Sequence, residues 1–161
     1  MSALRFATAI FCDDIRFELG NKVSLIGVYG TDLYTNELPC FIPRIGVFFR
    51  VTCPNDDPVQ KQRFQVLKGS EVLLDLEIPS EQIASETNMS VVPASRRPAG
   101  HDAPTRRQTQ FNAVLPPLTV LEACTLKAYV YVGDVEFLAA KLRIGPMPEA
   151  SPTSSLSAIE G

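Results

Sequence analysis

Histidine occurs once in this chain, and there is no C-x-x-C pair, no G-x-S-x-G elbow, no Walker loop and no dinucleotide fingerprint. Without clustered histidines or paired cysteines a zinc site has no framework. The lone histidine, His101, sits between Gly100 and Asp102. That is turn chemistry, and it gives none of the rigid placement that a Cys-His nucleophile requires. Long apolar runs are also missing. The stretch Phe6 to Phe11, broken by Thr8, is far too short for a signal h-region or a membrane span. A formal charge of -3 exerts no overall pull toward nucleic acid or acidic membranes. No helical pattern of twelve or more residues is found. These absences point away from an enzyme, a metal or cofactor protein and a membrane protein, and toward a cytoplasmic protein with reduced thiols.

The 161 residues, 45% of them apolar, suffice for one domain that buries about two-thirds of the surface its unfolded chain exposes. Thirteen prolines and nine glycines indicate many turns. Leu126, Ala128, Val130 and Val132 alternate with Lys127, Tyr129 and Tyr131 up to Gly133-Asp134, after which Val135, Phe137 and Ala139 alternate with Glu136 and Leu138. This is a β-hairpin pattern with glycine first in a two-residue turn. Pairing Val132 with Val135 sets Val130 opposite Phe137 and Ala128 opposite Ala139. Beyond Ala140 the parity reverses, which requires a bulge near Ala139 and Ala140 or burial of both faces.

The same reading carries along the chain. Bulk lies on even positions from Leu4 to Cys12 and on odd ones from Ile15 to Leu19, so a bulge or a corner between sheets is expected at Asp13 and Asp14. A three-residue turn at Gly20-Asn21-Lys22 would set Leu19 against Val23 and Phe17 against Leu25. The strand Val23 to Tyr29 is apolar on both faces, as a central strand would be. Residues 30–43 read as a connection, and Ile45 to Thr52 as the strongest single strand. A second hairpin around Lys68-Gly69-Ser70 would align Phe64 and Val66 with Val72 and Leu74. One helical turn is expected at Ser80 to Ser85, a short edge strand at Met89 to Val92, and a further strand at Thr109 to Leu115. Residues 93–107 read as a mobile basic loop and 146–161 as a disordered tail. Together these give an all-β domain over residues 1–145, an antiparallel two-sheet β-sandwich of Ig-like or C2-like type with eight to nine strands.

Cys12-Asp13-Asp14-Ile15-Arg16 followed by Gly20-Asn21-Lys22-Val23-Ser24-Leu25-Ile26-Gly27-Val28-Tyr29 resembles the opening signature of a family of small uncharacterised bacterial and phage proteins. The resemblance implies an all-β domain and carries no activity onto particular residues.

Three sets of residues invite functional readings. Tyr129, Tyr131 and Leu138 on the second face of the terminal hairpin, with Leu142 expected beside them and Phe48 on the second face of its own strand, could form a contact for a protein partner or a second copy. Arg96, Arg97, Arg106 and Arg107 could hold an anion, since guanidinium forks suit phosphate. Nucleic acid is unsupported there, because no aromatic residue interleaves the arginines to stack on bases. Asp13 and Asp14 could join other carboxylates on calcium, whereas the plainer account has them stabilise the corner. The expectation is a non-enzymatic binding protein acting through an exposed sheet face or an edge strand. Anion binding by the arginines, and an enzyme with a loop-borne Cys or Asp centre, are the alternatives.

Overall fold

The computed structural model describes residues 4–20, 22–90 and 105–148, which form eleven strands and one helix. In chain order these are β1 (Phe6–Glu18), β2 (Lys22–Val28), β3 (Asp32–Thr35), β4 (Cys40–Ile42), β5 (Gly46–Pro54), β6 (Gln62–Lys68), β7 (Glu71–Ile78), α1 (Ser80–Ser90), β8 (Arg106–Val114), β9 (Leu118–Val120), β10 (Cys124–Val132) and β11 (Val135–Pro146). The first sheet has the order β2-β1-β5-β8, the second β3-β11-β10-β6-β7, and β4 pairs with β9. The pairings are antiparallel except that of β3 with β11. Two sheets stacked across one apolar layer make the sandwich that the alternation predicts.

Alternation explains where the core sits. Val47, Phe49 and Val51 of β5 meet Phe64 and Val66 of β6 and the even positions of β10 in one cluster. At its centre the Phe64 ring lies 5.2 Å from Phe49 and 4.8 Å from Phe111. Burying each such ring is worth about 1.5–3 kcal/mol. In β5 every residue but Arg50 is buried, so this strand is covered on its outer face as well.

The terminal hairpin follows the expected register from Val132↔Val135 to Val130↔Phe137, and Gly133 takes the positive φ of +60° that its turn needs. A bulge at Ala139 then pairs Tyr129 with Leu138 and Ala128 with Ala140. One extra residue turns Leu142 and Ile144 inward, where both are fully buried, so Leu142 does not share the tyrosine face.

Other expectations are corrected. Phe17 pairs with Val23 and Glu18 with Lys22, which keeps the parity but shifts the register by two, because Leu19 leaves the ladder at the hairpin tip. Strand β2 lies at an edge. In the second hairpin Lys68 pairs with Glu71 across a two-residue turn at Gly69, and a bulge at Leu73 brings Leu74 opposite Val66. Residues 30–43 contain β3 and β4. Helix α1 runs through Met89 and Ser90, where strand was expected, while Val91 and Val92 lie outside the described residues. Arg106 and Arg107 open β8 instead of closing a loop. Arg96, Arg97 and His101, like residues 149–161, lie outside the described residues.

Candidate functional site

The signature residues build a joint where β1 leaves the body of the first sheet. Partners in β5 end at Cys12↔Gly46, so from Asp14 onward β1 is paired by β2 alone. At that point Gly27 has φ +63°, a conformation that L side chains rarely adopt. The Asp13 carboxylate occupies the space that a side chain at Gly27 would need, and the Tyr29 hydroxyl donates to Asp13 Oδ1. Burial, aided by this acceptor, pushes the Tyr29 phenol well above its ordinary pKa. Asp14 ion-pairs with Arg44 at 2.8 Å and Arg16 at 3.4 Å. The acidic pair is thus taken up by a phenol and two guanidinium groups. The change of face expected at Asp13 and Asp14 is present, since Cys12 and Ile15 share one buried cluster. No corner between sheets accompanies it, because β1 remains in the first sheet throughout.

Beyond the joint, β1 and β2 form a two-stranded ribbon. Ile15 pairs with Leu25 and Phe17 with Val23 on one side, while Arg16, Glu18 and Ser24 occupy the other. On the polar side the Ser24 hydroxyl donates to Glu18 at 3.0 Å. On the apolar side Ile15 lies over Gly46, whose missing side chain leaves room for it. A satellite cluster results on the outer face of the first sheet, with Cys12, Ile15 and Phe48 at its centre and Ile10, Val23 and Leu25 packed around them. Next to it opens a cleft of about 430 Å³ lined by Ile10, Lys22, Val23, Leu25, Phe48, Arg50 and Gln110. The Arg50 guanidinium lies 5.4 Å from the centre of the Phe48 ring. At the ribbon's end Phe17 is 75% and Leu19 93% exposed.

Phe48 is 6% exposed, so it is a wall of this cleft and lies on a different sheet from the tyrosines. Tyr129 and Tyr131 stack at 6.5 Å on the outer face of the second sheet, with Leu138 47% exposed beside them. Arg63 lies 5.5 Å from the Tyr131 ring and forms a paired contact with Asp75, and the Tyr131 hydroxyl donates to Gln65 at 3.4 Å. Arg63 holds the Asp75 carboxyl below the usual carboxylate range, while partial burial raises the Tyr131 phenol. That face is occupied by its own cross-strand network.

Arg106 donates to the Leu4 carbonyl at 2.9 Å and lies over Phe6, and Arg107 donates to the Pro58 carbonyl at 3.1 Å. Both therefore bind protein groups. All four cysteines are free thiols. Burial pushes Cys12, Cys53 and Cys124 above the usual thiol range, which opposes thiolate formation. Among the described residues no three His, Cys, Asp or Glu side chains gather as metal ligands. Nor is any described helix long and apolar enough to cross a membrane.

The cleft and the exposed ribbon tip were not picked out as a site from sequence. The signal that could have located them was the change of parity at Asp13 and Asp14, read together with Gly27 on the opposite strand.

The fold defines a two-sheet all-β sandwich protein. Within that class the chain belongs to a family of unknown function, DUF6941, matched over residues 7–145. The match runs from β1 into β11 and includes Asp13, Gly27 and Tyr29. Comparison with curated proteins finds no match.

Proposed function

We propose that this protein is a non-enzymatic binding module whose contact surface is the outer face of the first sheet together with the β1–β2 ribbon. The observation that carries the reading is the exposure of Phe17 and Leu19 beside a cleft whose walls combine apolar side chains with Lys22 and Arg50. Large apolar side chains gathered at one place on a surface mark interaction sites. The tyrosine face supports the reading less well, because its polar groups already satisfy one another. The raised thiols argue against a cysteine enzyme, and four free cysteines accord with a reducing, cytoplasmic setting.

A photo-crosslinking residue at position 19 tests the proposal against the same residue at position 136 on the tyrosine face, each in host extract. A discrete adduct from position 19, lost in a Phe17→Ser background and absent from position 136, is the expected result. Equal labelling from both positions would refute the assignment.

A further inference from the structure

Resting on this reading of the surface, the geometry points to the mode of binding and the class of partner: we infer that β2 accepts an added strand from another protein, an extended segment apolar at alternate positions and bearing carboxylates.

The four outer strands of the two sheets differ in what guards them. Strand β8 has α1 packed against it, with Ile83 almost fully buried. Strand β3 is only four residues long. Strand β7 carries Glu71, Asp75 and Glu77 and is bulged at Leu73. Charges, bulges, shortness and cover are the means by which sheet edges avoid pairing with other chains. Strand β2 has seven residues, Lys22 as its one charged side chain, and exposed Ile26 and Val28. Its uninterrupted part, Lys22 to Ile26, precedes the bend at Gly27.

The cleft lies along this same edge, since Lys22, Val23 and Leu25 form one of its walls. A strand laid against β2 would place alternate side chains over the cleft, whose volume is within the range of ligand pockets, while its backbone bonded the free edge. Val23, Leu25, Phe48 and Ile10 would take the apolar side chains. The charged groups lining the cleft are Lys22 and Arg50, and neither ion-pairs with a carboxylate among the described residues. A complementary segment therefore supplies acidic groups. A second copy of β2 cannot do so. The sequence from Lys22 to Val28 contains no carboxylate, and a symmetric pair would bring cationic clefts together.

The test is selection of random twelve-residue peptides on the immobilised full chain, followed by affinity measurement of an enriched peptide. The expected outcome is enrichment of alternating apolar sequences with Asp or Glu. Lys22→Glu/Arg50→Glu should weaken that peptide about tenfold, and Ser24→Pro should abolish its binding, because proline blocks an edge ladder. The charge-reversed variant does not disturb the core, so it decides the question even if Ser24→Pro unfolds. No enrichment, enrichment of basic peptides, or affinity unchanged by charge reversal overturns the inference. So does sedimentation showing a dimer that the peptide cannot displace. If position 19 still gives its adduct while selection fails, strand addition falls and the contact surface stands; if both fail, the surface itself is wrongly assigned.

Discussion

Gly27→Ala should be among the most damaging single-methyl changes on the surface of this protein, for two separable reasons. Gly27 sits at φ +63°, where an L residue pays about 1–2 kcal/mol. Its Cβ would also lie 2.5 Å from Asp13 Cγ and overlap the carboxylate, so Asp13 must swing away and lose the Tyr29 hydroxyl. A hydrogen bond to a charged group is worth about 1.5–3 kcal/mol when sheltered. This one lies near the surface, with Asp13 exposed, and solvent screening reduces its share to about 1 kcal/mol. The total is about 2–3 kcal/mol, which in a domain of this size lowers Tm by about 5–10 °C. Urea unfolding of wild type, Gly27→Ala, Asp13→Ala and the double variant separates the two causes. Asp13→Ala should cost about 1 kcal/mol. The double variant should be less destabilised than the sum of the singles, since removing the carboxylate makes room for the methyl group. Strict additivity, or a Gly27→Ala protein within about 0.5 kcal/mol of wild type, would refute the account of the joint.

Phe64→Ala empties the centre of the Phe49–Phe64–Phe111 cluster and should cost about 3–5 kcal/mol in chemical denaturation; a loss under about 1 kcal/mol would mean that the two sheets do not meet there. The Tyr29 phenol has a pKa raised in the folded state, so its contribution is complete below the unfolded value near 10 and is lost as pH rises toward the folded value. Tyr29→Phe should therefore show a shallower alkaline loss of stability than wild type, and identical slopes in pH-dependent thermal melts would contradict this. Cys12 and Cys53 are buried thiols with raised pKa, and neither should react with a disulfide reagent at neutral pH until the chain unfolds. Rapid, selective modification of either in the native protein would revive the enzyme reading.

How far the sequence was legible depends on what each residue could report about its neighbours. The terminal hairpin was readable because alternation and a Gly-Asp turn fix register locally, and even the bulge at Ala139 left a trace in the reversed parity of Leu142 and Ile144. The other two hairpins were misregistered because glycine marks a turn without fixing where its loop begins or how long it is: at Gly20 the ladder closes one residue earlier than expected, at Glu18 and Lys22. At Gly69 the loop is shorter than expected and a bulge at Leu73 restores the facing. Strands β3, β4 and β9, of three or four residues, carry too few positions for alternation to show. The outer edge of β2 could not be read at all: Leu25, Ile26 and Val28 look the same in sequence whether a neighbouring strand or solvent lies beside them. Phe48 misled in the opposite direction. It stands on the outer face as expected, but the ribbon that covers it belongs to another strand pair.

Strand β1 carries the case for the first sheet. Its inner side offers Ala7, Ala9 and Phe11 to the core, while Phe6, Ile10 and Cys12 point the other way. Placing larger apolar groups outside and alanines inside costs stability unless something covers the outer face. The ribbon covers part of it: Cys12 is fully buried and Ile15 and Phe48 nearly so. The cover stops short, leaving Phe17 and Leu19 in solvent and Lys22 and Arg50 beside an open cleft. On the second sheet the outer tyrosines are met by Arg63 and Gln65 from the adjacent strand, although Leu138 and Val72 stay half exposed. Of the two outer faces, the first joins its uncovered apolar groups to the larger cleft and to an unguarded edge strand, and on the proposed reading that combination is what offers a partner both apolar contact and backbone pairing.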